Sequence, residues 1–436
     1  MSLPHDPLND SSVTLAPTRV ARVKRRLTAS GSFVRPPSAR QTFGSLSVRP
    51  FRRWFVSQLL SASGTMTQAV ALSWLVLRLT GSGVDLGLLT TCSFLPMLFT
   101  GPWSGNLVDR VNRRRLLIVT QSSFIVLSAL LGFLIAFGAV RVWMLFVLAF
   151  ASGVVGAPDS AARQVYAVDL VGTEHLTSAI SLNEIVINVS RVLGPALGGV
   201  LLATVGAAAC CFFNAVSFVP PLIVLLILHK SESFTSQVRV AQSDHFLAGL
   251  RYAWHNPAIR TGLLFAAVSG MLFNLNVPLP LLATRVFHLG PAGYGLMMSV
   301  FGVGGVVGGL FAATSRSRPT SRSVGALAAF TGGSVLATAC APTLALEYCG
   351  LALTGCLSIW FIARANALVQ FETAQEMRGR VMGVWTMALP GCEPITSPLV
   401  GFVGESVGAR ESFAVSGVAF IVLAAASWRT LFAREK

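Results

Sequence analysis

Residues 207–229 read AAACCFFNAVSFVPPLIVLLILH, and from Leu222 to Leu228 this stretch is apolar on every side of a helix. A helix needs about 20 apolar residues to cross a hydrocarbon layer of about 30 Å. A strand of a transmembrane barrel would instead alternate polar and apolar residues over about ten positions. The stretch therefore predicts a membrane-spanning helix, and runs of the same kind recur from Phe55 to Phe432.

The composition agrees with many crossings. Of 436 residues, 53% are hydrophobic and 11% are charged, whereas soluble domains carry about 25% charged residues. A single soluble core is therefore excluded, and we predict an all-α membrane protein of twelve helices in two six-helix bundles. The spans are numbered 1 to 12 and predicted at 55–79, 85–108, 116–138, 142–162, 179–203, 207–229, 259–283, 291–313, 323–341, 344–365, 381–404 and 412–432.

The net charge of +16 is distributed between the apolar runs and does not form one basic face, so we expect no nucleic-acid partner. Most loop arginines follow even-numbered spans, as in 110–115, whereas Arg78, Arg141, Arg285 and Arg410 lie on the other side. Cytoplasmic loops collect Lys and Arg. We therefore expect a multi-pass protein of the inner (plasma) membrane, with both termini in the cytoplasm.

The chain is predicted to have four parts. Residues 1–48 are rich in Ser, Thr, Pro and Arg and predict a disordered, basic cytoplasmic tail; in an alternative interpretation, its cations bind the anionic inner leaflet. Residues 230–258 are the longest polar interruption after the tail and predict a cytoplasmic linker between six-helix bundles at 49–229 and 259–436. Similar residues at similar intervals in the two halves support a duplication, although such a pattern can arise by chance.

The loop after span 2 reads GNLVDRVNRRRL at 105–116 and resembles the major facilitator superfamily signature G-x-L-a-D-r-x-G-r-k. Asn112 replaces the usual glycine, and asparagine can also take a left-handed turn conformation at modest cost. A small residue at Gly105 permits close helix approach, while Asp109 can face a helix N-terminus across the bundle. In the alternative interpretation, these arginines only orient the chain. The predicted gating latch comprises Gly105, Asp109, Arg110, Arg113, Arg114, Arg163 and Asp169.

Span 5 carries Glu184, Asn188 and Arg191 at spacings that place them on one helical face. Because charges in lipid are costly, this face should point to the bundle interior and take part in transport or proton coupling. A structural ion pair near the cytoplasmic mouth is the alternative. Glu393 in span 11 is a second candidate for proton coupling. The same set includes the helix-packing residues Gly194, Pro195, Gly198 and Gly199.

The run GPALGG at 194–199 is similar to the helix 5 signature of superfamily exporters. Together with 105–116, 158–170 and 378–383, it resembles the enterobactin-exporter-like branch, also called transmembrane secretion effectors. Glu184 departs from that branch, where the position is usually small or uncharged. The resemblance implies a proton-coupled secondary exporter of small amphiphilic molecules, of the drug or siderophore type. It also implies a cavity lined by spans 1, 4, 7 and 10, with candidate contacts Gln58, Gln68, Asn274, Asn276 and Asn366.

Alternatives to an exporter are an uptake permease of the same fold and a non-transporting membrane sensor or scaffold. An enzyme is not expected, because the six histidines are scattered and no H-E-x-x-H or G-x-S-x-G motif occurs. The seven cysteines lack the paired spacing of a metal site or a disulfide framework. The expected partners are a small-molecule substrate, protons and the lipid bilayer, for a monomer without cofactor or metal.

Overall fold

The computed structural model describes residues 44–172, 175–228, 244–315 and 317–432. Within these ranges, the side chains at 101–106, 109, 176–177, 244–248 and 428–432 are not described. Residues 1–43 of the predicted tail and residues 230–243 of the predicted linker therefore lie outside the described residues. The side chain of Asp109 and the surroundings of Gly105 lie outside them as well.

Each predicted span coincides with helical structure, which confirms the predicted fold class. Nine spans are single helices, with these bounds: Arg49–Thr80, Gly83–Arg110, Arg113–Ala136, Val142–Val171, Leu176–Thr204, Pro291–Thr314, Ser321–Ala339, Leu344–Glu372 and Ala409–Phe432. Three spans are interrupted. Span 6 consists of Ala207–Ser217 and Val219–Ile227, span 7 of Pro257–Phe273, Pro278–Leu281 and a π-turn at Leu282–Val286, and span 11 of Arg378–Gly391 and Glu393–Ser406.

Two short elements lie outside the predicted spans. Gly44–Ser47 forms a 3-10 turn before span 1, and Asp244–His255 forms a helix within the predicted linker. That helix packs against the first helix of span 11. The described part of the linker is thus partly helical and contacts the membrane-spanning helices.

Ten helical segments in the described residues are long and apolar enough to cross a membrane. The two predicted spans outside that set are 9 and 11. Span 9 at Ser321–Ala339 is rich in Ser, Thr and Gly, which lowers its hydropathy. Span 11 is divided at Cys392 into two helices of 14 residues each, so neither reaches spanning length alone.

Prolines account for the interruptions. Proline lacks a backbone N–H and is tolerated best in the first turn of a helix. Accordingly, proline occupies the first turn in the second helices of spans 6 and 11 and in both helices of span 7. In span 7 the helix stops at Phe273 and resumes at Pro278, leaving Asn274–Val277 outside regular helix.

Asn112 does not take the left-handed turn conformation that is open to asparagine. Its backbone is extended, with φ −66° and ψ 111°, and its side-chain oxygen accepts a hydrogen bond from the Arg115 N–H at 3.2 Å. Asparagine is a favoured N-cap because its short side chain reaches the first free N–H groups of a helix. Asn112 therefore starts span 3.

Spans 1–6 contact each other, as do spans 7–12, and the two groups meet mainly through two pairs of spans, 2 with 11 and 5 with 8. Backbone meets backbone at these crossings. A methyl group added at Gly83 would lie 2.6 Å from the Gly401 oxygen, and one at Gly295 would lie 2.6 Å from the Gly199 Cα. We call the contacts of these two pairs of spans the seam.

Gly295→Ala tests the seam. The added methyl would also lie 2.6 Å from the Pro195 oxygen, so spans 5 and 8 must separate. Overpacking of this kind costs about 1–3 kcal/mol, and we expect a lower melting temperature in detergent. The matched control is Gly333→Ala, where nothing lies within 4 Å and alanine favours the helix. Equal melting temperatures for the two variants would contradict close packing at the seam.

Candidate functional site

The predicted latch arginines contact groups within spans 1–6. Nη1 of Arg113 lies 2.9 Å and 3.2 Å from the two carboxylate oxygens of Asp169, so the start of span 3 is paired with the end of span 4. Arg114 donates to the backbone oxygens of Leu225 and Leu226, at 2.6 Å and 3.0 Å, at the end of span 6. These contacts tie one half together, and a gating role for them stays a prediction. Arg110 is exposed.

Asp159 is a buried acid in span 4 that the sequence analysis missed. Its side chain is fully buried, and Oδ2 lies 2.6 Å from Nη2 of Arg163, one helical turn later. Oδ1 accepts hydrogen bonds from Thr120 at 2.6 Å and from Gln121 at 2.8 Å. The sequence did contain a signal for this pair, because Asp159 and Arg163 are four residues apart and therefore lie on the same face of a helix. Pro158, inside the same helix, directly precedes the acid.

Arg163 connects this network to span 1. Its second nitrogen, Nη1, donates to Oε1 of Gln58 at 3.1 Å. Gln58 is buried, and its Nε2 has no hydrogen-bond partner among the described residues. Spans 1, 3 and 4 are thus joined through one buried ion pair.

A cavity of about 410 Å³ lies among spans 1–4 and 6, and the Arg163 side chain lines it. Its lining residues are mainly Leu, Phe, Met, Ala and Gly. The polar lining includes Gln68, which accepts a hydrogen bond from Asn214 at 2.9 Å, and Asn276 of span 7. An apolar chamber with a few fixed polar groups is typical of a small-molecule site.

The other three candidate contacts from the sequence bind neighbouring side chains. Gln58 accepts from Arg163, and Asn274 donates to Ser397 across spans 7 and 11. Oδ1 of Asn366 accepts from Gln370 at 2.5 Å, one turn later in span 10. Of the five predicted contacts, Gln68 and Asn276 are therefore the two that line the described cavity.

The predicted charged residues of spans 5 and 11 come together where the two halves meet. Arg191 interacts electrostatically with Glu184 on its own helix and with Glu393, the first residue after the break in span 11. Its guanidinium lies 5.2 Å from the ring centroid of Phe273, which ends the first helix of span 7. The cation thus contacts both halves, a position that a structural pair within span 5 would not require.

The two acids that interact with Arg191 differ in environment. Glu393 is 9% exposed, whereas Glu184 is exposed. Asn188 donates to the backbone oxygen of Glu184 at 2.9 Å, so its amide is held by the helix. The arrangement provides one buried acid and one accessible acid around a single cation.

The run GPALGG packs span 5 between spans 1 and 8. Gly194 and Gly198 face span 1, and the Gly194 oxygen accepts a hydrogen bond from Thr67 at 2.9 Å. Gly199 faces Gly295 of span 8. Pro195 lies inside the helix, where its ring removes one backbone hydrogen bond. Arg191 is therefore positioned by a helix that closely approaches both halves.

The sequence was compared with protein-family models and with known proteins. The model of the transmembrane secretion effector family matches residues 40–435. The enterobactin exporter EntS of Citrobacter koseri is 29% identical over 86% of this chain and 89% of its own length. The multidrug efflux pump Tap of Mycobacterium tuberculosis, strain H37Rv, is 27% identical over 81% of this chain and 87% of its own.

A solved structure has the same fold. The bacterial homologue of the human lysosomal transporter Spinster, inward-facing and unoccupied, superposes with a TM-score of 0.72. The superposition covers 88% of this chain and 98% of the Spinster homologue, and the two sequences are 14% identical. The family model covers nearly the whole chain, and the fold is that of a multi-pass membrane transporter. The chain therefore belongs to the transmembrane secretion effector family, a branch of the major facilitator superfamily.

Proposed function

We propose that this protein is a proton-coupled exporter of small amphiphilic molecules, of the drug or siderophore type, in the cytoplasmic membrane. The observation that carries the proposal is the cluster of Arg191 with Glu184 and Glu393 at the seam. Intramembrane carboxylates that face a bundle interior are the groups that carry protons in transporters. Because the cluster joins the two halves, a change of its charge acts directly on their relative position.

The 410 Å³ cavity supports an amphiphilic cargo. Ligand sites of drug-sized molecules are mainly apolar clefts of about 300–1,000 Å³ with few polar groups. Here the polar lining includes Arg163, Gln68 and Asn276 together with Asn214 and several Ser and Thr residues, and the other lining residues are apolar. The names of two relatives, an enterobactin exporter and a multidrug efflux pump, agree with cargo of this chemistry and with export.

The seam supports alternating access. Described contacts between the halves run from the loop at 81–82, which joins spans 1 and 2, along spans 2 and 11 as far as Thr91 and Pro394. The arginine-rich loop at 110–115 lies at the opposite end of span 2. With that loop in the cytoplasm, the protein is closed to the outside and faces inward, and both termini are cytoplasmic.

Transport into inside-out membrane vesicles tests the proposal. With the vesicle interior made acidic, we expect vesicles containing the protein to accumulate a lipophilic fluorescent drug or an iron-free catecholate siderophore, because protons leaving the vesicle drive cargo in. A protonophore should abolish accumulation, and vesicles without the protein are the control. Uptake only into right-side-out vesicles would indicate a permease. Absence of transport in either orientation, across both cargo classes, would contradict the proposal and favour a sensor or scaffold.

A further inference from the structure

The end of span 11 is tied to the start of span 2 by a carboxylate. Oε2 of Glu405 accepts a hydrogen bond from the Ser82 hydroxyl at 2.7 Å and from the Val84 N–H at 3.3 Å. Ser82 and Val84 belong to the first half of the chain, and Glu405 belongs to the second. Two hydrogen bonds to one oxygen thus bridge the halves.

An arginine makes a third bridge beside them. Nη2 of Arg285 donates to the Gly81 oxygen at 2.6 Å, and its Nη1 donates to the Gly404 oxygen at 3.0 Å. Arg285 lies on the π-turn of span 7, a geometry often found at functional positions. It also acts electrostatically on Glu405, so the two charged groups support each other.

The backbone below these hydrogen bonds is closely packed. Gly83 and Gly401 contact each other through backbone atoms, and the Leu281 side chain lies against both Gly83 and Gly404. A larger side chain would not fit at Gly83 or at Gly401. Separation of the halves here requires the hydrogen bonds to break and the buried Leu281 side chain to leave Gly83.

We propose that Ser82, Arg285 and Glu405 form an outer clamp, which holds the outward gate closed while the protein loads cargo from the cytoplasm. The inference rests on the alternating access proposed above and names the groups that must release for the outward-facing state. Glu405 and Arg285 are exposed, so water competes for them and each hydrogen bond contributes only about 0.5–1.5 kcal/mol. Hydrogen bonds of this strength stabilise the closed state and can still break when the halves separate.

The clamp has a defined pH range. Hydrogen bonds from Ser82 and Val84, with a smaller contribution from Arg285, lower the pKa of Glu405 below its usual range. A lowered pKa means that the closed state favours the carboxylate, so the clamp is complete above the ordinary value of about 4.3. It is lost only as the pH falls through the lowered pKa. Acidification from pH 7 to about 5 is therefore expected to leave the clamp closed.

Spin labels at Leu79 and Val407, both exposed at this end, can measure the gap between the halves after the seven cysteines are replaced. We expect Glu405→Ala and Arg285→Ala each to raise the ratio of the long-distance to the short-distance population by about five-fold, in line with the loss of one or two exposed hydrogen bonds. The matched control is Glu411→Ala, an exposed acid on the same side, for which we expect no change. Ser82→Ala is a milder variant should either of the others fail to fold.

Distances that stay unchanged in both clamp variants, or that shift equally in the Glu411→Ala control, would overturn the clamp. The measurement needs no cargo and no proton gradient. A failure of the clamp can therefore be distinguished from a failure of the proposed export.

Discussion

Asp159→Asn is expected to lower the stability of the protein by about 2–3 kcal/mol, more than most single substitutions. The carboxylate is fully buried, pairs with Arg163 at 2.6 Å and accepts hydrogen bonds from Thr120 and Gln121. Asparagine keeps one acceptor but presents an amide N–H to the guanidinium, which itself can only donate. Arg163 then loses its counter-charge.

The magnitude follows from where the two charges lie. Removing one partner of a buried ion pair costs about 3–5 kcal/mol, because the other charge is left without compensation. The Arg163 side chain is 31% exposed, so solvent in the cavity compensates part of that charge and reduces the expected cost. Melting temperature in detergent, measured with and without a cargo that binds, is the observable.

The double variant Asp159→Asn with Arg163→Gln separates charge from packing. If the unpaired charge causes the loss, removing both charges should recover part of the stability. Additive destabilisation by the two substitutions would contradict the ion pair as the cause. Exposed Glu411→Gln serves as a control for general effects of removing an acid.

Glu393→Gln is expected to reduce accumulation driven by a pH gradient to background, while exchange of labelled for unlabelled cargo continues. Glutamine has nearly the same shape as glutamate but cannot gain or lose a proton. Glu393 is buried at the seam and interacts with Arg191. Proton coupling at this position would be lost, whereas the movement of the halves needs only the seam and the cavity.

Glu347→Gln is the matched control for this experiment. Glu347 is also fully buried and also interacts with an arginine, Arg410 of span 12, but that pair lies within the second half of the chain. We expect the control to keep gradient-driven accumulation. Gradient-driven accumulation by Glu393→Gln at the parental rate would exclude Glu393 as the coupling group and leave Glu184 as the remaining candidate at the seam.

The fold could be predicted because membrane spans depend on composition and length alone. The run at 207–229 and its repetitions marked twelve stretches, and each of them overlaps helical structure. Less predictable were the interruptions inside spans 6, 7 and 11, since apolar runs continue across them and only the prolines mark the sites. The conformation of Asn112 depended on the helix that begins beside it, which a motif comparison does not include.

The candidate site was only partly predictable. Polar residues in lipid are conspicuous, so Glu184, Arg191 and Glu393 could be selected one by one, but their proximity depends on how spans 5 and 11 cross. Asp159 was missed because it lies inside span 4, whereas the predicted latch was built on the loop at 105–116 and on Arg163 and Asp169 towards the end of span 4. The outer clamp was missed because Ser82 and Glu405 are ordinary residues of helix ends, 323 positions apart.

The seam has a consequence for how such transporters diversify. Its close contacts at Gly83, Gly199, Gly295 and Gly401 are made by backbone atoms, whereas the cavity lies among spans 1–4 and 6 and is lined by other residues. Substitutions that reshape the chamber for a new cargo therefore need not alter the joint on which the halves move. Cargo preference and the mechanical cycle can evolve separately, on different residues of the same chain.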